Sequence, residues 1–186
     1  MATRKVNEDQ LMRGLTQVFR TFGLEGASLT KLTEATGLQR ASLYHRFPGG
    51  KEEMVVAVLQ STLALIQEQI LDPLNGPGSP RQRLEKMSRA VAQFYANGEK
   101  ACLFDYFSIA PDSHPIREHV NKAMRYWLEC LTKVACEAGI KKSDARRRAE
   151  DVTAAIQGSL VMARAMNDRR PFRRMVKELP DRLLGD

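Results

Sequence analysis

The fold of this 186-residue chain is decided by residues 28–53, which read SLTKLTEATGLQRASLYHRFPGGKEE. Two short stretches with helical apolar spacing flank Gly37, and Pro48, Gly49 and Gly50 stop the second of them. Two helices joined by a short turn form a helix-turn-helix, a motif whose second helix enters the major groove of DNA. The segment therefore predicts a DNA-reading head in the first quarter of the chain.

The predicted reading helix, from about Gln39 to Arg46, has two different faces. Its underside shares apolar residues with the preceding helix, and these are Leu32, Leu38, Leu43 and Phe47. Its outer face offers an arginine that can bond guanine, small residues that permit close approach, hydroxyls and an imidazole. These outer residues are Arg40, Ala41, Ser42, Tyr44 and His45. Ser28 is predicted to cap the helix before the turn, where Ser28 and Thr30 can hold a phosphate.

Apolar residues recur with helical spacing along the rest of the chain, and no useful length alternates with the period of a strand. A first helix is predicted to place one apolar face inward, with Leu11, Leu15, Val18 and Phe22. Later helices are predicted to begin near Pro80 and Pro171, and another is predicted to be capped by Ser143. We expect an all-α protein of about nine helices. Residues 1–51 are predicted to form a three-helix DNA-binding domain, and residues 52–186 a larger helical domain.

Composition and charge restrict the classes of protein. A hydrophobic content of 43% suffices for a packed core. No apolar run approaches the roughly 20 residues that span a bilayer, and residues 1–14 lack a secretory pattern. We therefore expect a cytoplasmic protein without a membrane partner. The net charge of +7 divides into +4 over residues 1–51, −2 over 52–140 and +5 over 141–186. The basic N-terminal segment suits a phosphate backbone.

The sequence carries little that indicates catalysis, a metal or a cofactor. It has no nucleophile–base pattern, no phosphate-binding glycine loop and no H-E-x-x-H, so we expect no enzyme activity. His114 and His119, with Asp112 nearby, are five residues apart and do not share a helix face, so we expect no metal site. The three cysteines show no C-x-x-C spacing and suit small hydrophobic positions in helices. A redox-sensing thiol stays open as an alternative trigger at Cys102, Cys130 or Cys136.

Residues 8–58 resemble the DNA-binding domain of the TetR family of bacterial transcription repressors. The match is densest over residues 37–47, GLQRASLYHRF, followed by Pro48 and by KEE at 51–53. Arg40 stands where the family usually has lysine, and Ala41 stands where it usually has glycine. The doubled glycine before Lys51, and more weakly residues 156–184, resemble the LmrA/YxaF-like subgroup of that family.

The resemblance implies a homodimer that binds a palindromic operator in double-stranded DNA. It also implies a repressor released when a small molecule occupies a pocket in the larger domain and changes the separation of the two heads. The last two helices of each subunit would form the dimer interface. By position, the residues that meet DNA in relatives match Ser28, Thr30, Arg40, Ala41, Ser42, Tyr44, His45 and Lys51.

Two features of the larger domain add to these expectations. Aromatic and methionine side chains are candidates to line an apolar effector pocket, although the same spacing suits an ordinary core. These candidates are Phe94, Phe104, Phe107, Met124, Trp127 and Met162. Their few charges favour a hydrophobic or aromatic effector. Small residues along the eighth helix favour close packing between subunits, while packing within one chain stays open. They are Ala149, Ala154, Ala155, Gly158, Ser159 and Ala163.

Overall fold

The computed structural model describes residues 7–108 and 115–185. Within these ranges all regular structure is helical, as the apolar spacing predicts. The nine α-helices are α1 (Glu8–Gly26), α2 (Leu29–Thr36), α3 (Arg40–Arg46), α4 (Gly50–Ile66), α5 (Pro80–Phe94), α6 (Leu103–Phe107), α7 (Pro115–Glu137), α8 (Lys142–Ala165) and α9 (Arg170–Leu184). Asp112 and His114 lie outside the described residues.

The head consists of α1, α2 and α3, and its core differs from the prediction at one position. α1 packs against α2 and α4 and buries Leu11, Leu15 and Val18 as predicted. Phe19 fills the next core position, whereas Phe22 is 46% exposed. The prediction was wrong at Phe22, which directly precedes the break in the helix at Gly23 (φ 66°).

Backbone contact joins α1 to α2 at Gly14. A Cβ atom at this position would lie 2.5 Å from the carbonyl oxygen of Ala35, closer than any side chain can approach. The first and last helices of the head are also joined, by an ion pair between Glu8 and Arg46. The three helices therefore form one tightly connected block.

The turn between α2 and α3 depends on Gly37 and Thr36. Gly37 adopts a left-handed conformation (φ 70°) that glycine enters without a steric penalty, and its N–H donates to the Thr33 carbonyl. The buried Thr36 hydroxyl donates to the Leu32 carbonyl at 2.7 Å and accepts from the Leu38 N–H at 3.3 Å. The turn thus satisfies its own polar groups, and α3 begins in a defined direction.

α4 leaves the head and enters the larger domain, where it packs against α7. It continues into one π-helical turn (Gln67–Leu71) and one 3₁₀ turn (Asp72–Asn75). In the part of the chain that the structure describes, one helix is long and apolar enough to cross a bilayer. It is the stretch from Gly50 to Asn75, in which an 18-residue window has a mean hydropathy of 1.5. An apolar helix of this length was not expected from the sequence. Met54, Val58 and Ile70 are buried in the core, which accounts for the apolar composition.

The larger domain is built from α5 to α9 around the second half of α4. α8 packs between α7 and α9, α5 packs against α9, and α6 contacts α1 of the head. α5 starts with a capping box in which Ser79 and Gln82 bond each other's backbone N–H groups. Pro171 stands in the first turn of α9, as predicted.

The predicted start of α8 was wrong. The helix begins at Lys142 and is preceded by Lys141, whose side chain makes no capping hydrogen bond. The N–H of Ala145 donates to the Lys141 carbonyl at 2.8 Å, so the first helical turn already contains Ser143. Asp144 lies in that first turn, as expected for an acidic residue near the positive end of a helix.

Candidate DNA-reading face and effector sites

The underside of α3 holds the reading helix against the head. Leu32, Leu43 and Phe47 are buried and Leu38 is partly buried, so the predicted apolar underside is confirmed. With that side fixed, the other side of α3 must face outward. The head therefore presents this short helix to solvent in a single orientation.

The predicted outer residues of α3 lie together on that exposed face. Arg40, Ala41, Tyr44 and His45 are exposed, and Ser42 is partly buried. The guanidinium carbon of Arg40 lies 5.8 Å from the centroid of the Tyr44 ring, one helical turn away. Arg40 and Tyr44 thus form a planar cation beside an aromatic face, while Ala41 leaves the start of the helix uncrowded. Such a surface can approach base edges in a major groove.

The other predicted DNA contacts lie at the starts of the helices before and after α3. Ser28 caps α2 by accepting the N–H of Lys31 at 3.4 Å, and Thr30 is exposed in the first turn. Lys51 is partly buried in the first turn of α4. Gly50, directly before it, has φ 70°, and the Tyr44 ring lies 3.6 Å from the position of a Cβ atom there. The doubled glycine is visible in the sequence, but only the folded chain shows that Gly50 lets α4 start beside Tyr44.

The predicted effector residues do not surround one common cavity. Phe104, Met124 and Trp127 line a closed space in the core that has room for about one water molecule, about 10 Å³. The Trp127 indole N–H donates to the Thr153 hydroxyl at 3.1 Å beside it. Oε1 of Gln157, another lining residue, is buried and has no hydrogen-bond partner within the described residues.

The other three predicted residues lie elsewhere. Phe107 is 1% exposed and packs in the core, and Met162 is 46% exposed on α8. Phe94 lines a much larger open cleft of about 1020 Å³ between the head and the larger domain. This cleft also contains Arg20 of α1 and Arg164 of α8. The sequence did not reveal it, because Arg20 looks like a solvated residue on an amphipathic helix.

Cys102 and Cys130 do not have the surroundings of reactive thiols. Cys102 is buried and accepts a hydrogen bond from the Tyr95 hydroxyl at 3.4 Å. Burial is the main cause that raises the pKa of the Cys102 thiol, and burial also raises the pKa of Cys130. A raised pKa disfavours the nucleophilic thiolate. The structure therefore gives a redox trigger no support at these two positions.

The small residues of α8 divide between two faces. Ala149, Ser159 and Ala163 are buried, so they serve packing within the chain. Ala154 and Gly158 are exposed and Ala155 is partly buried. A Cβ atom at Gly158 would meet nothing within 4 Å. Val161 and Met162, further along the same helix, are exposed as well. Together these residues form a strip of small and apolar residues on the surface of α8.

Comparison with known proteins identifies both parts of the chain. Residues 11–58 match the family described as "Bacterial regulatory proteins, tetR family". Residues 80–178 match the family described as "Transcriptional regulator LmrA/YxaF-like, C-terminal domain". The chain belongs to the TetR family. It is therefore a DNA-binding transcriptional regulator of that family and not an enzyme.

Individual TetR-family relatives match nearly the full length. The HTH-type transcriptional regulator LmrA of Bacillus subtilis is 21% identical over 181 residues, covering 95% of this chain and 96% of LmrA. A TetR transcriptional regulator from Legionella pneumophila has the same fold, with a TM-score of 0.82 at 20% identity, covering 95% of this chain and 97% of that one. The structure of CifR, solved with a 26-base-pair operator duplex, gives a TM-score of 0.75 at 21% identity, covering 96% of this chain and 98% of that one.

Within the ranges that the structure describes, no group of three or more His, Cys, Asp and Glu side chains could hold a metal ion. His119 lies within the described residues, and its Nε2 is 3.4 Å from the Gln60 amide nitrogen.

Proposed function

We propose that the chain is a cytoplasmic, homodimeric repressor that binds a palindromic operator and is released by a small-molecule effector. The observation that carries this proposal is the exposed face of α3. Arg40, Ala41 and Tyr44 are exposed there, while the opposite side of the helix is buried in the head, which has a net positive charge. A face of this kind suits direct reading of bases, and the head's positive charge suits the phosphates around them. Ser28, Thr30 and Lys51 stand at its edges as phosphate contacts.

The dimer rests on the exposed strip of α8. Ala154, Gly158 and Met162 form an exposed strip of small and flexible apolar residues along this helix. Such a strip allows the same helix of a second subunit to approach closely around a two-fold axis. Two heads related by that axis read two half-sites of opposite direction, which is why the operator is expected to be a palindrome.

Selection from random duplexes tests the proposal. Purified protein is incubated with the duplexes, bound DNA is separated by gel shift at low and high salt, and the enriched sequences are read. We expect an inverted repeat whose affinity falls steeply with salt, since phosphate contacts release counterions. Enrichment of no sequence at either salt concentration would contradict the proposal.

Arg40→Ala is expected to weaken binding to the selected operator by about 1–3 kcal/mol and to relax the preference at one base position. The loss arises because a bidentate guanidinium contact to a guanine edge disappears. Competition titrations with operators altered at single positions measure it. Lys51→Ala serves as the comparison, because loss of a phosphate contact weakens all duplexes alike. An equal loss on every duplex for Arg40→Ala would show that Arg40 contacts the backbone only.

A further inference from the structure

The large cleft is lined by both parts of the protein. Helix α1 of the head contributes Met12, Gln17 and Arg20, and the larger domain contributes Leu65, Phe94 and Arg164. Its volume of about 1020 Å³ matches the upper range of small-molecule sites, whereas the core cavity beside Trp127 holds about one water. Of these two spaces, the cleft is the one that can take a ligand without opening the core.

Arg20 is the partly buried cation of the cleft that has no counterion among the described residues. Its Nε atom is buried and has no hydrogen-bond partner, and no carboxylate within the described residues forms an ion pair with it. Its neighbours Tyr95 and Cys102 are neutral groups, and burial lowers the pKa of the Arg20 guanidinium. An arginine stays protonated even so, which leaves a partly desolvated positive charge in the cleft.

The other charged residues of the cleft are either paired with an opposite charge or exposed to solvent. Arg164 is paired with Asp105 at 3.6 Å. Glu99 is paired with Arg169, and Asp9 is exposed near the start of α1. Arg13 and Lys100 are exposed. Apolar surface from Met12, Leu65 and Phe94 lies in the same cleft. The combination suits a molecule with one anionic group and an apolar body.

We propose that this cleft is the effector site and that it takes an amphipathic organic anion, such as an aromatic or aliphatic carboxylate, with Arg20 as its counterion. The inference rests on the proposed function and adds the site and the chemical class of the effector. A carboxylate would accept two parallel hydrogen bonds from the guanidinium. Because Arg20 belongs to α1, the bound anion touches the head directly, and its differential affinity for one head position shifts the population of the two states.

Two fluorescent probes with the same skeleton test the anion requirement. The probe 8-anilinonaphthalene-1-sulfonate carries one negative charge, and N-phenyl-1-naphthylamine is the same molecule without the sulfonate. We expect the full-length protein to bind the sulfonate at one site per subunit and at least ten-fold more tightly than the neutral probe. Arg20→Gln is expected to lower the affinity for the sulfonate probe ten-fold or more and to change the affinity for the neutral probe less than two-fold. Decanoate is expected to displace the sulfonate from the wild-type protein.

Arg89→Gln is the matched control, because it removes the same charge from an exposed position on α5 outside the cleft. This control should bind both probes with the wild-type affinity. Arg20→Gln should melt at the wild-type temperature or above, since it removes a desolvated charge that has no partner. If Arg20→Gln lowers the affinity for both probes equally and also lowers the melting temperature, Arg20 has a structural role. Equal affinities of the wild-type protein for both probes would exclude an anion site. Either result overturns the inference.

The outcome is separable from that of the proposed function. If the protein selects an inverted repeat and neutral compounds alone release it, the repressor stands and the anion site fails. If no operator is selected but the probes still bind in a way that depends on Arg20, the repressor proposal is wrong and the anion site is retained.

Discussion

Replacing Gly14 with alanine is expected to destabilise the protein by about 1–3 kcal/mol, although alanine is the better helix former. The reason is the backbone contact between α1 and α2. The added methyl group would lie 2.5 Å from the carbonyl oxygen of Ala35, and a backbone atom cannot rotate away as a side chain can. α2 must move off α1, and α3, which follows α2 through the Gly37 turn, moves with it. Operator binding should therefore be lost together with stability.

Urea unfolding followed by circular dichroism measures the first effect, and operator titration measures the second. Gln10→Ala is the control, because it places the same methyl group at an exposed position of the same helix. Its stability should stay within about 0.5 kcal/mol of the wild-type value. A Gly14→Ala variant as stable as the wild type, with full operator affinity, would refute the close approach of the two helices.

Replacing Gly158 with arginine is expected to leave the subunit folded but to abolish the dimer. Nothing lies within 4 Å of the position of a Cβ atom there, and the residue is exposed, so we expect the substitution to leave the chain's own packing intact. Between two subunits, the same position would bring two charged side chains into a close apolar contact. Without the dimer the second half-site no longer binds intramolecularly, and affinity for the full operator should fall about 10²–10⁴-fold.

Sedimentation equilibrium gives the oligomeric state, and titrations with full and half operators give the affinities. Ala64→Arg adds the same side chain at an exposed position of α4 outside the strip of α8. That control should remain a dimer with wild-type affinity. If Gly158→Arg still forms the wild-type dimer, the interface lies on another surface.

Much of the fold could be predicted from the spacing of apolar residues, and the failures have specific physical causes. Helical periodicity in α1 allows either Phe19 or Phe22 to face the core. The helix breaks at Gly23, directly after Phe22, and this break is not visible in the periodicity. Ser143 is a good capping residue, but the extended backbone at Lys141 starts α8 before it. Gly14 carries no hydrophobic signal at all, because its role comes from the side chain it lacks. Contacts between distant segments are not visible in local spacing.

The candidate sites were predictable to different degrees. The outer residues of α3 follow from the helix-turn-helix pattern alone, because a buried underside determines which residues face solvent. The cleft could not be found in this way, since its walls come from α1, α4, α8 and residues 93–101, which meet only in the folded chain. Composition favoured an apolar effector, whereas the cleft contains Arg20, a partly buried charge with no ion-pair partner among the described residues. A single arginine in a sequence gives no sign of whether water or protein surrounds it.

The connection of α1 to both α2 and α3 has a consequence for the spacing of operator half-sites. Since the Gly14 contact and the Glu8–Arg46 ion pair join the three helices, the head turns as one lever. From Glu8 to the break at Gly23, α1 is about 22 Å long, so a tilt of about 5° displaces its far end by about 2 Å. One base pair advances the duplex by about 3.4 Å. Effector-bound and effector-free protein should thus differ in the spacer length they tolerate between half-sites, and a regulated promoter would be defined by its spacer as well as by its bases.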